Sequence, residues 1–275
     1  MFTNGIKNKT FKMRPKVTVI TITYNAERFL KNTIESVINQ SNKEFEYLII
    51  DGASKDGTAD IIQQYDNTLF ASFEEAENRN PVYCPQICWI SEPDKGLYDA
   101  MNKGLHLAKG DFVWFVNAGD KIYDNNTMQD ISDTIDTNPN GDVVYGQSII
   151  IDEDENIRGE RHKIAPETLT LKSMLNGLVV CHQSILVRKE TAPDYDLQYR
   201  ITADYDWVCK VLSKSRQNCY IDNYISRFMI AGISSQQRKR AWLERYHIMK
   251  KHFGLPATLW AHLKIIAKYP FSHKD

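Results

Sequence analysis

The sequence predicts an α/β protein in which a mixed, mainly parallel sheet is flanked by helices and followed by a helical appendage. Apolar, β-branched runs alternate with segments of helical periodicity through the first half of the chain, which is typical of a parallel sheet. Runs such as FVWFV show no polar alternation, which indicates strands buried on both faces. The 275 residues, of which 42% are hydrophobic and 25% are charged, suffice for one large core.

The elements follow one another in the order that this fold requires. In the first half we predict strands at 17–22, 45–50, 87–90 and 112–116, with helices at 27–40, 57–65 and 97–108. The weakly patterned acidic segment 66–85 is expected to be a surface insertion. Beyond residue 141 we predict two strands within 142–152, a helix near 166–176, a strand at 184–188 and a helix at 203–215.

Composition excludes several classes of protein. A net charge of −1 gives no indication of a nucleic-acid partner. The cysteines are odd in number and mostly far apart, so we expect reduced, mostly buried thiols at Cys84, Cys88, Cys181, Cys209 and Cys219. Residues 1–15 form a basic, polar extension without the apolar core of a secretory signal, and no apolar run reaches the roughly 18 residues of a spanning helix. These features predict a cytoplasmic protein.

Polar clusters follow all four predicted strands of the first half, at the edge where open α/β sheets bind ligands. In chain order the clusters contain Thr23, Tyr24, Asn25 and Glu27; Asp51 and Ser54; Asp94, Lys95 and Asp99; and Asn117, Ala118, Gly119 and Asp120. Each cluster taken singly could be a helix cap or a turn. Because all four fall at one edge of the same sheet, the set favours a binding site.

The absence of two phosphate-binding motifs narrows the choice of ligand class. The sequence has no P-loop and no GxGxxG after its first strand, so a P-loop nucleotide site and a dinucleotide site are both disfavoured. Asp120 offers a carboxylate of the kind that Mg²⁺ or Mn²⁺ prefers, and such a cation commonly bridges one or two carboxylates to substrate phosphates. Gly119 would let the backbone and a ligand approach each other closely.

Four stretches in this order resemble the inverting family 2 glycosyltransferases, which have the GT-A fold. The stretches are VTVITITYNAERFLKNTIESVINQ, YLIIDGASKDGT, SEPDKGLYDAMNKGLHLAKGDFVWFVNAGD and HQSILVRK with YRITADYDW. The resemblance covers roughly Lys16 to Ser215, and the ordered series is more specific than any single motif. The EPDKGLYDAMNKG stretch is similar to a bacterial branch that builds capsule, exopolysaccharide or lipopolysaccharide chains.

The resemblance implies a sugar transfer from a nucleotide-diphosphate sugar, such as a UDP-sugar, to a glycan or lipid-linked acceptor. It implies one domain at 16–235, with a nucleotide-sugar half at 16–120 and an acceptor half at 121–235. In this family the segment that matches Thr23–Asn25, together with Glu27, lines the nucleotide, and the acid that matches Asp51 recognises the base. The acid that matches Asp94 helps to hold the nucleoside, with Lys95 and Asp99 nearby.

The D-x-D region of the family falls on residues 117–120, where this sequence departs from the usual pattern. Asn117 and Gly119 stand where many members carry aspartate, which leaves Asp120 as the sole carboxylate. We therefore expect weak metal binding, with the cation arriving together with the sugar nucleotide. His182 is a candidate second metal ligand or diphosphate contact, although a lone histidine is more often structural.

The catalytic base of the family matches Asp204, in the stretch TADYDW. Inverting transfer needs a carboxylate that accepts the proton of the acceptor hydroxyl as this hydroxyl attacks the anomeric carbon. Asp204 begins a predicted helix, so the alternative is a carboxylate stabilised by the helix dipole. Asp206 is the weaker candidate.

The tail at 236–275 differs in character from the rest of the chain. It carries a net charge of +7 and interleaves basic with aromatic and aliphatic residues. Such helices either lie on an anionic membrane surface, or pack on the catalytic domain and expose a basic face.

Two other functions compete with glycosyl transfer: a non-catalytic nucleotide-sugar or glycan-binding relative, and a sugar nucleotidyltransferase. The second would need a glycine-rich phosphate loop, which TYNAERF lacks.

Overall fold

The computed structural model describes residues 14–70, 87–230 and 237–268. The strands within these residues are β1 (Val17–Thr23), β2 (Phe45–Asp51), β3 (Asp66–Phe70), β4 (Ile87–Ser91), β5 (Phe112–Phe115), β6 (Lys121–Ile122), β7 (Val143–Ile151), β8 (Ile157–Glu160), β9 (Ile185–Arg188) and β10 (Asn218–Met229). The helices are α1 (Glu27–Ile38), α2 (Thr58–Tyr65), α3 (Leu97–Leu107), α4 (Thr127–Thr137), α5 (Ala203–Leu212) and α6 (Arg238–Lys268).

All of these strands belong to one sheet, in the order β3-β4-β2-β1-β5-β9-β7-β10-β6, with β8 paired to β7. The first five strands in this order, from β3 through β4, β2 and β1 to β5, are mutually parallel. β9 is antiparallel to both of its neighbours, and β10 runs parallel to β7. Apolar clusters cover both faces of the sheet. The predicted fold class, a mixed and mainly parallel sheet flanked by helices, is confirmed.

Several predicted elements need correction. The segment expected to be a surface insertion begins with β3, a short edge strand that pairs with β4, whereas residues 71–86, including Cys84, lie outside the described part. The helix expected near 166–176 is a 3₁₀ helix, Leu171–Asn176, which ends at Gly177 with φ of 87°. The two strands expected within 142–152 are one continuous strand, β7. β10 escaped prediction because polar residues interrupt its apolar pattern where its register shifts.

The tail forms α6, which is interrupted at Gly254, where φ is 77°. Ile248 and Met249 are fully buried, so this helix packs on the rest of the protein. Packing of this kind is one of the two arrangements predicted for the tail. Its outer side exposes large apolar side chains: Trp242, Leu243, Leu255, Leu259, Trp260 and Leu263. Within the described residues no helix combines the length and the apolar character needed to cross a membrane. The segments 1–13, 231–236 and 269–275 lie outside the described residues.

The cysteines of the described residues fit the expectation of reduced thiols. All four of them are buried and none forms a disulfide: Cys88, Cys181, Cys209 and Cys219. Burial raises the pKa of Cys209 above the range in which the reactive thiolate forms at neutral pH. These thiols therefore act as small core side chains.

Candidate active site

The strand-end clusters meet at one edge of the sheet because the parallel strands end in register. Thr23 is paired with Asp51, which in turn is paired with Ser91, so the last residues of β1, β2 and β4 lie side by side. The loop after β5 continues the same alignment, because the Ala118 N–H donates to the Ile22 carbonyl at 3.1 Å. The edge predicted from the sequence therefore exists as one continuous surface.

Asp51 is a fixed hydrogen-bond acceptor in the centre of this edge. Its side chain is buried, and its Oδ1 accepts the Ser54 hydroxyl at 2.5 Å. Its Oδ2 accepts the Ser54 N–H at 3.0 Å and the Ser91 hydroxyl at 2.5 Å. Because each carboxylate oxygen has more than one acceptor site, Asp51 can receive a further donor without moving.

Asp94 and Tyr24 approach each other over Gly52. A Cβ atom at Gly52 would lie only 2.6 Å from Asp94 Oδ2 and 3.3 Å from Tyr24 Cδ2, so only glycine permits this approach. The Asp94 carboxylate is fixed by the Gly96 N–H at 2.7 Å. Burial raises the pKa of Asp94, and the charges of two neighbouring acids add to the rise. The Tyr24 ring is 60% exposed, which leaves a flat aromatic face beside these carboxylates.

Asn25 and Glu27 join the first two strand-end loops to each other. The Asn25 N–H donates to the Ser54 hydroxyl at 2.8 Å, from a backbone with φ of 48° that asparagine tolerates. Glu27 Oε2 accepts the Gly57 N–H at 3.0 Å, and the Glu27 N–H donates to Asp56 Oδ2 at 3.1 Å. Asn25 and Glu27 therefore stabilise the two loops at this edge. A contact with a ligand would be a second role for either residue.

Lys95 and Asp99 form the turn that begins α3. The Lys95 N–H donates to Asp99 Oδ2 at 2.9 Å, and the Lys95 side chain is exposed. The carboxylate of Asp99 therefore stabilises the start of the helix, a preferred place for negative charge. Its charge is also one of the two that raise the pKa of Asp94.

Asp120 is buried rather than displayed at the edge. Its Oδ1 accepts the Met229 N–H at 2.9 Å, and the Gln183 side chain also hydrogen-bonds to it. Burial raises the pKa of Asp120 to about 7, in spite of these two donors. Thr33 fixes the loop, because its hydroxyl donates to the Asp120 carbonyl at 2.8 Å and accepts the Gly119 N–H at 2.9 Å.

Asn117 and Asp120 are the oxygen donors that the fourth cluster offers to a divalent cation. Asn117 Oδ1 and the Thr23 hydroxyl are buried and lack a hydrogen-bond partner among the described residues, which is how atoms completed by a ligand behave. In the same part of the chain, no three His, Cys, Asp or Glu side chains form a metal-binding group. This donor set fits a cation that takes most of its ligands from substrate phosphates.

His182 lies in an aromatic cluster. Its Nε2 is 2.7 Å from the Tyr195 hydroxyl, and its ring contacts those of Phe115 and Trp207. Burial lowers the pKa of His182 to about 4, so the ring is neutral at physiological pH. A role as metal ligand stays a prediction, and a cation at Nε2 would have to displace the Tyr195 hydroxyl.

Asp204 lies in the first turn of α5, beside Tyr98 of α3. Its Oδ1 accepts the Tyr205 N–H at 2.8 Å and faces the Tyr98 hydroxyl at 3.4 Å. Burial raises the pKa of Asp204 to about 6, although both donors act in the opposite direction. α3 starts directly after the turn that contains Asp94, so this helix links Asp204 to the strand-end edge.

Both carboxylate oxygens of Asp206 contact basic side chains. Its Oδ2 lies 2.8 Å from Lys210 Nζ, and its Oδ1 lies 3.1 Å from Lys251 Nζ and 2.8 Å from His252 Nε2. Burial alone would raise the pKa of Asp206, but these three hydrogen-bonding partners outweigh it and hold the pKa far below its ordinary value. This engagement supports Asp204 over Asp206 as the reactive carboxylate.

Tyr98 and Gln183 were not identified as site residues from the sequence. Tyr98 lies within the EPDKGLYDAMNKG stretch, but only the fold shows that its hydroxyl faces Asp204. Gln183 follows His182 directly, yet its link to Asp120 depends on β9 lying beside β5. No local pattern distinguishes either residue from an ordinary core or loop position.

The polar edge of the sheet is a candidate binding site, and the comparisons with known proteins identify the family. The chain belongs to glycosyl transferase family 2, whose model matches residues 18–195, and it is therefore a glycosyltransferase. The "PGL/p-HBAD biosynthesis glycosyltransferase" of Mycobacterium bovis (strain BCG / Pasteur 1173P2) is 29% identical over 202 residues, which cover 72% of this chain and 70% of that protein.

Two further similarities agree with this family. The "putative teichuronic acid biosynthesis glycosyltransferase TuaG" of Bacillus subtilis (strain 168) is 27% identical over 248 residues, covering 86% of this chain and 92% of that protein. The crystal structure of S. aureus TarS 1–349 in complex with UDP superposes with a TM-score of 0.64 at 20% identity, covering 86% of this chain and 66% of that one. The fold is therefore that of the GT-A glycosyltransferases.

Proposed function

We propose that this protein transfers a sugar, with inversion, from a nucleotide-diphosphate sugar to a hydroxyl of a glycan or lipid-linked acceptor. The observation that carries the proposal is the Asp204 carboxyl, whose pKa burial raises to about 6 at a fixed position beside Tyr98. Such a group is ionised at neutral pH and is still a useful base. The UDP complex of TarS supports a UDP-sugar as donor, and the name of TuaG supports an acceptor in surface polysaccharide synthesis.

The donor nucleotide would occupy the edge formed by β1, β2 and β4. The exposed Tyr24 ring offers a face on which a base can stack, and Asp51 and Asp94 offer acceptors for its N–H groups and for the ribose hydroxyls. The unpaired Thr23 hydroxyl and Asn117 Oδ1 would complete their hydrogen bonds with the donor or its cation. Residues 16–120 are in this proposal the donor half, and residues 121–235 are the acceptor half.

Asp204 would act on the acceptor side of the reaction. Its carboxylate takes the proton of the acceptor hydroxyl while the acceptor oxygen forms a bond to the anomeric carbon. The bond from that carbon to the donor diphosphate breaks on the opposite face, and the nucleoside diphosphate leaves with the electron pair. Mn²⁺ or Mg²⁺ held by Asp120, Asn117 and the phosphates, with His182 as a further candidate ligand, would supply charge neutralisation at the leaving group.

The outer face of α6 supports a second proposal, that the protein works at an anionic membrane surface on the cytoplasmic side. Trp260 and Leu263 are 62% and 58% exposed, and Lys264 Nζ lies 5.3 Å from the centre of the Trp260 ring. An apolar strip beside basic groups has the character of an interfacial helix. A surface position would bring Asp204 to a lipid-linked acceptor.

The donor proposal is tested by thermal unfolding of the full chain with UDP, GDP, CMP or dTDP, each with and without Mn²⁺. A nucleotide at about a hundred times its Kd adds roughly 2.7 kcal/mol of stability, which shifts the unfolding midpoint by several degrees. A shift with one nucleotide names the donor class, and dependence on Mn²⁺ supports the cation. No shift with any nucleotide would contradict a preformed donor site.

The role of Asp204 is tested with Asp204→Asn, and the exposed Asp60→Asn serves as a matched control. We expect Asp204→Asn to bind the nucleotide as the wild type does while transfer falls by about a hundredfold or more, the usual contribution of a general base. Asp60→Asn should keep both properties. Retained turnover in Asp204→Asn would remove this residue from the role, and nucleotide binding without turnover in the wild type would favour a non-catalytic relative.

A further inference from the structure

Three basic side chains from distant segments form a cluster, which we name the cation cluster: Arg161, Lys163 and Arg245. Arg161 and Lys163 follow β8, whereas Arg245 belongs to α6. A Cβ atom at Gly177 would overlap both Lys163 Nζ and the Arg245 guanidinium, so these two groups converge over bare backbone. Gly177 also has φ of 87°, which disfavours any other residue at this position.

The cation cluster has unsatisfied donors. Arg245 Nε and Nη2 are buried and have no hydrogen-bond partner within the part of the chain that the structure describes. The Arg245 guanidinium instead stands 5.9 Å from the centre of the Tyr205 ring. The Arg161 Nη2 donates to the Leu178 carbonyl at 3.5 Å. Buried polar groups are normally paired in proteins, so the two unpaired donors of Arg245 indicate a ligand.

The cluster is also electrostatically unfavourable in the absence of an anion. Burial, together with the charges of Arg245 and Arg161, lowers the pKa of Lys163 to about 8. Partly buried like charges repel each other and lose hydration, so the folded protein is less stable with them than without them. A phosphate group would remove this penalty, because guanidinium groups bind it through paired N–H donors and an ammonium group adds charge.

The cation cluster lies near Asp204, the proposed general base. Tyr205, which the Arg245 guanidinium faces, follows Asp204 directly in α5. The charge of Arg161 lowers the pKa of both Asp204 and Cys181. Cys181 in turn donates to Gln183 Oε1 at 3.1 Å, and Gln183 contacts Asp120. The cluster is therefore near the side of the site at which the reaction is proposed to occur.

We propose that Arg161, Lys163 and Arg245 form a binding site for a phosphate group carried by a substrate. This inference rests on the proposed function, which it deepens by requiring an anionic group next to Asp204. Two substrates carry such a phosphate group. One is the acceptor, if it is a lipid-linked or phosphate-containing glycan, and the other is the donor, through its diphosphate.

The test compares the full-length wild type with Arg245→Gln and Lys163→Gln in a buffer free of phosphate and sulfate. Lys172→Gln is the matched control, because Lys172 is exposed on the neighbouring 3₁₀ helix. Without ligand, both cluster variants should unfold at the same temperature as the control or above it, since each removes one repelling charge. Inorganic pyrophosphate should stabilise the wild type and the control, and it should bind each cluster variant about tenfold more weakly, the effect of one lost charge-assisted hydrogen bond.

Pyrophosphate binding that is the same in all four proteins would overturn the proposal. Cluster variants that unfold well below the control would also overturn it, because the cations would then be structural. UDP distinguishes the two sources: unchanged UDP affinity in Arg245→Gln assigns the site to an acceptor phosphate, whereas a parallel loss of about tenfold assigns it to the donor diphosphate. If UDP fails to bind the wild type while pyrophosphate binds at the cluster, the proposed function fails and the anion site stands.

Discussion

Glu244 of α6 holds the backbone that leads into Asp204, and its removal gives a quantitative test of the structure. The carboxylate is buried and accepts three successive backbone N–H groups, from Arg200 at 3.0 Å, Ile201 at 2.9 Å and Thr202 at 3.1 Å. It also accepts the Arg240 Nε at 2.9 Å. Thr202 immediately precedes α5, so the tail fixes the first turn in which the proposed base lies.

The expected loss of stability in Glu244→Ala follows from the backbone N–H donors that lose their acceptor. A buried donor without a partner costs about 1–3 kcal/mol, and the loop can turn part of this backbone toward water, so we expect Glu244→Ala to cost about 3 kcal/mol. At roughly 2–4 °C for each kcal/mol, the unfolding midpoint should fall by about 6–12 °C. Glu244→Gln keeps one acceptor oxygen and should cost about half as much.

The same contacts predict a pH dependence. Burial alone would raise the pKa of Glu244, but Arg240 and the backbone N–H groups outweigh it and hold the pKa below its ordinary value. A depressed folded-state pKa gives stability that is present above the unfolded-state value and is lost as the pH falls through the folded-state value. The difference in midpoint between the wild type and Glu244→Gln should therefore shrink in strongly acidic buffer.

The assay is thermal unfolding together with steady-state transfer kinetics, and Glu190→Ala at an exposed position is the control. Because the loop positions Asp204, we expect kcat to fall in Glu244→Gln at a temperature at which it is fully folded, while UDP affinity is unchanged. The reasoning is refuted if Glu244→Ala unfolds at the temperature of Glu190→Ala. If stability falls but kcat does not, Glu244 supports the fold without positioning the base.

Two further predictions concern the base and the tail. Because the Asp204 carboxylate must be ionised to accept a proton and burial raises its pKa to about 6, kcat/KM for transfer should be level near neutral pH and decline below about 6; a profile that is level down to pH 5 would exclude Asp204 as the titrating base. Replacing Trp260 and Leu263 together by serine should reduce sedimentation of the full chain with anionic phospholipid vesicles at low salt, because it removes exposed apolar area from α6; Lys172→Gln is the control, and equal sedimentation of the double variant and the wild type would contradict the membrane proposal.

The strand-end positions of the site could be predicted because they follow from local sequence. The buried strands of the first half are runs rich in apolar and β-branched residues, and the residue at the end of each lies at the carboxyl edge of a parallel sheet. Thr23 and Asp51 are paired across β1 and β2 for this reason. The family resemblance implies roles for Asp51 and Asp94 as acceptors, and both carboxylates are held in fixed positions at this edge.

Other features depended on contacts between distant segments. Asp120 was expected at an open edge, but the Met229 N–H, 109 residues away in sequence, closes over it. Asn25 and Glu27, which the resemblance assigns to the nucleotide, also hydrogen-bond to the loop after β2. β10 brings Met229 to this place, and its interrupted apolar pattern gave no signal of a strand.

The sequence by itself determined the class of sheet, the order of its buried strands and the edge at which polar residues collect. Hydrophobic periodicity encodes these properties, because each residue of a strand or helix faces core or solvent according to its position along the element. Only the tertiary structure decided that Tyr98 faces Asp204, that Glu244 holds the loop before it and that Lys163 meets Arg245 over Gly177. These contacts between residues distant in sequence depend on how helices and loops pack across the sheet, and no local spacing in the chain specifies them.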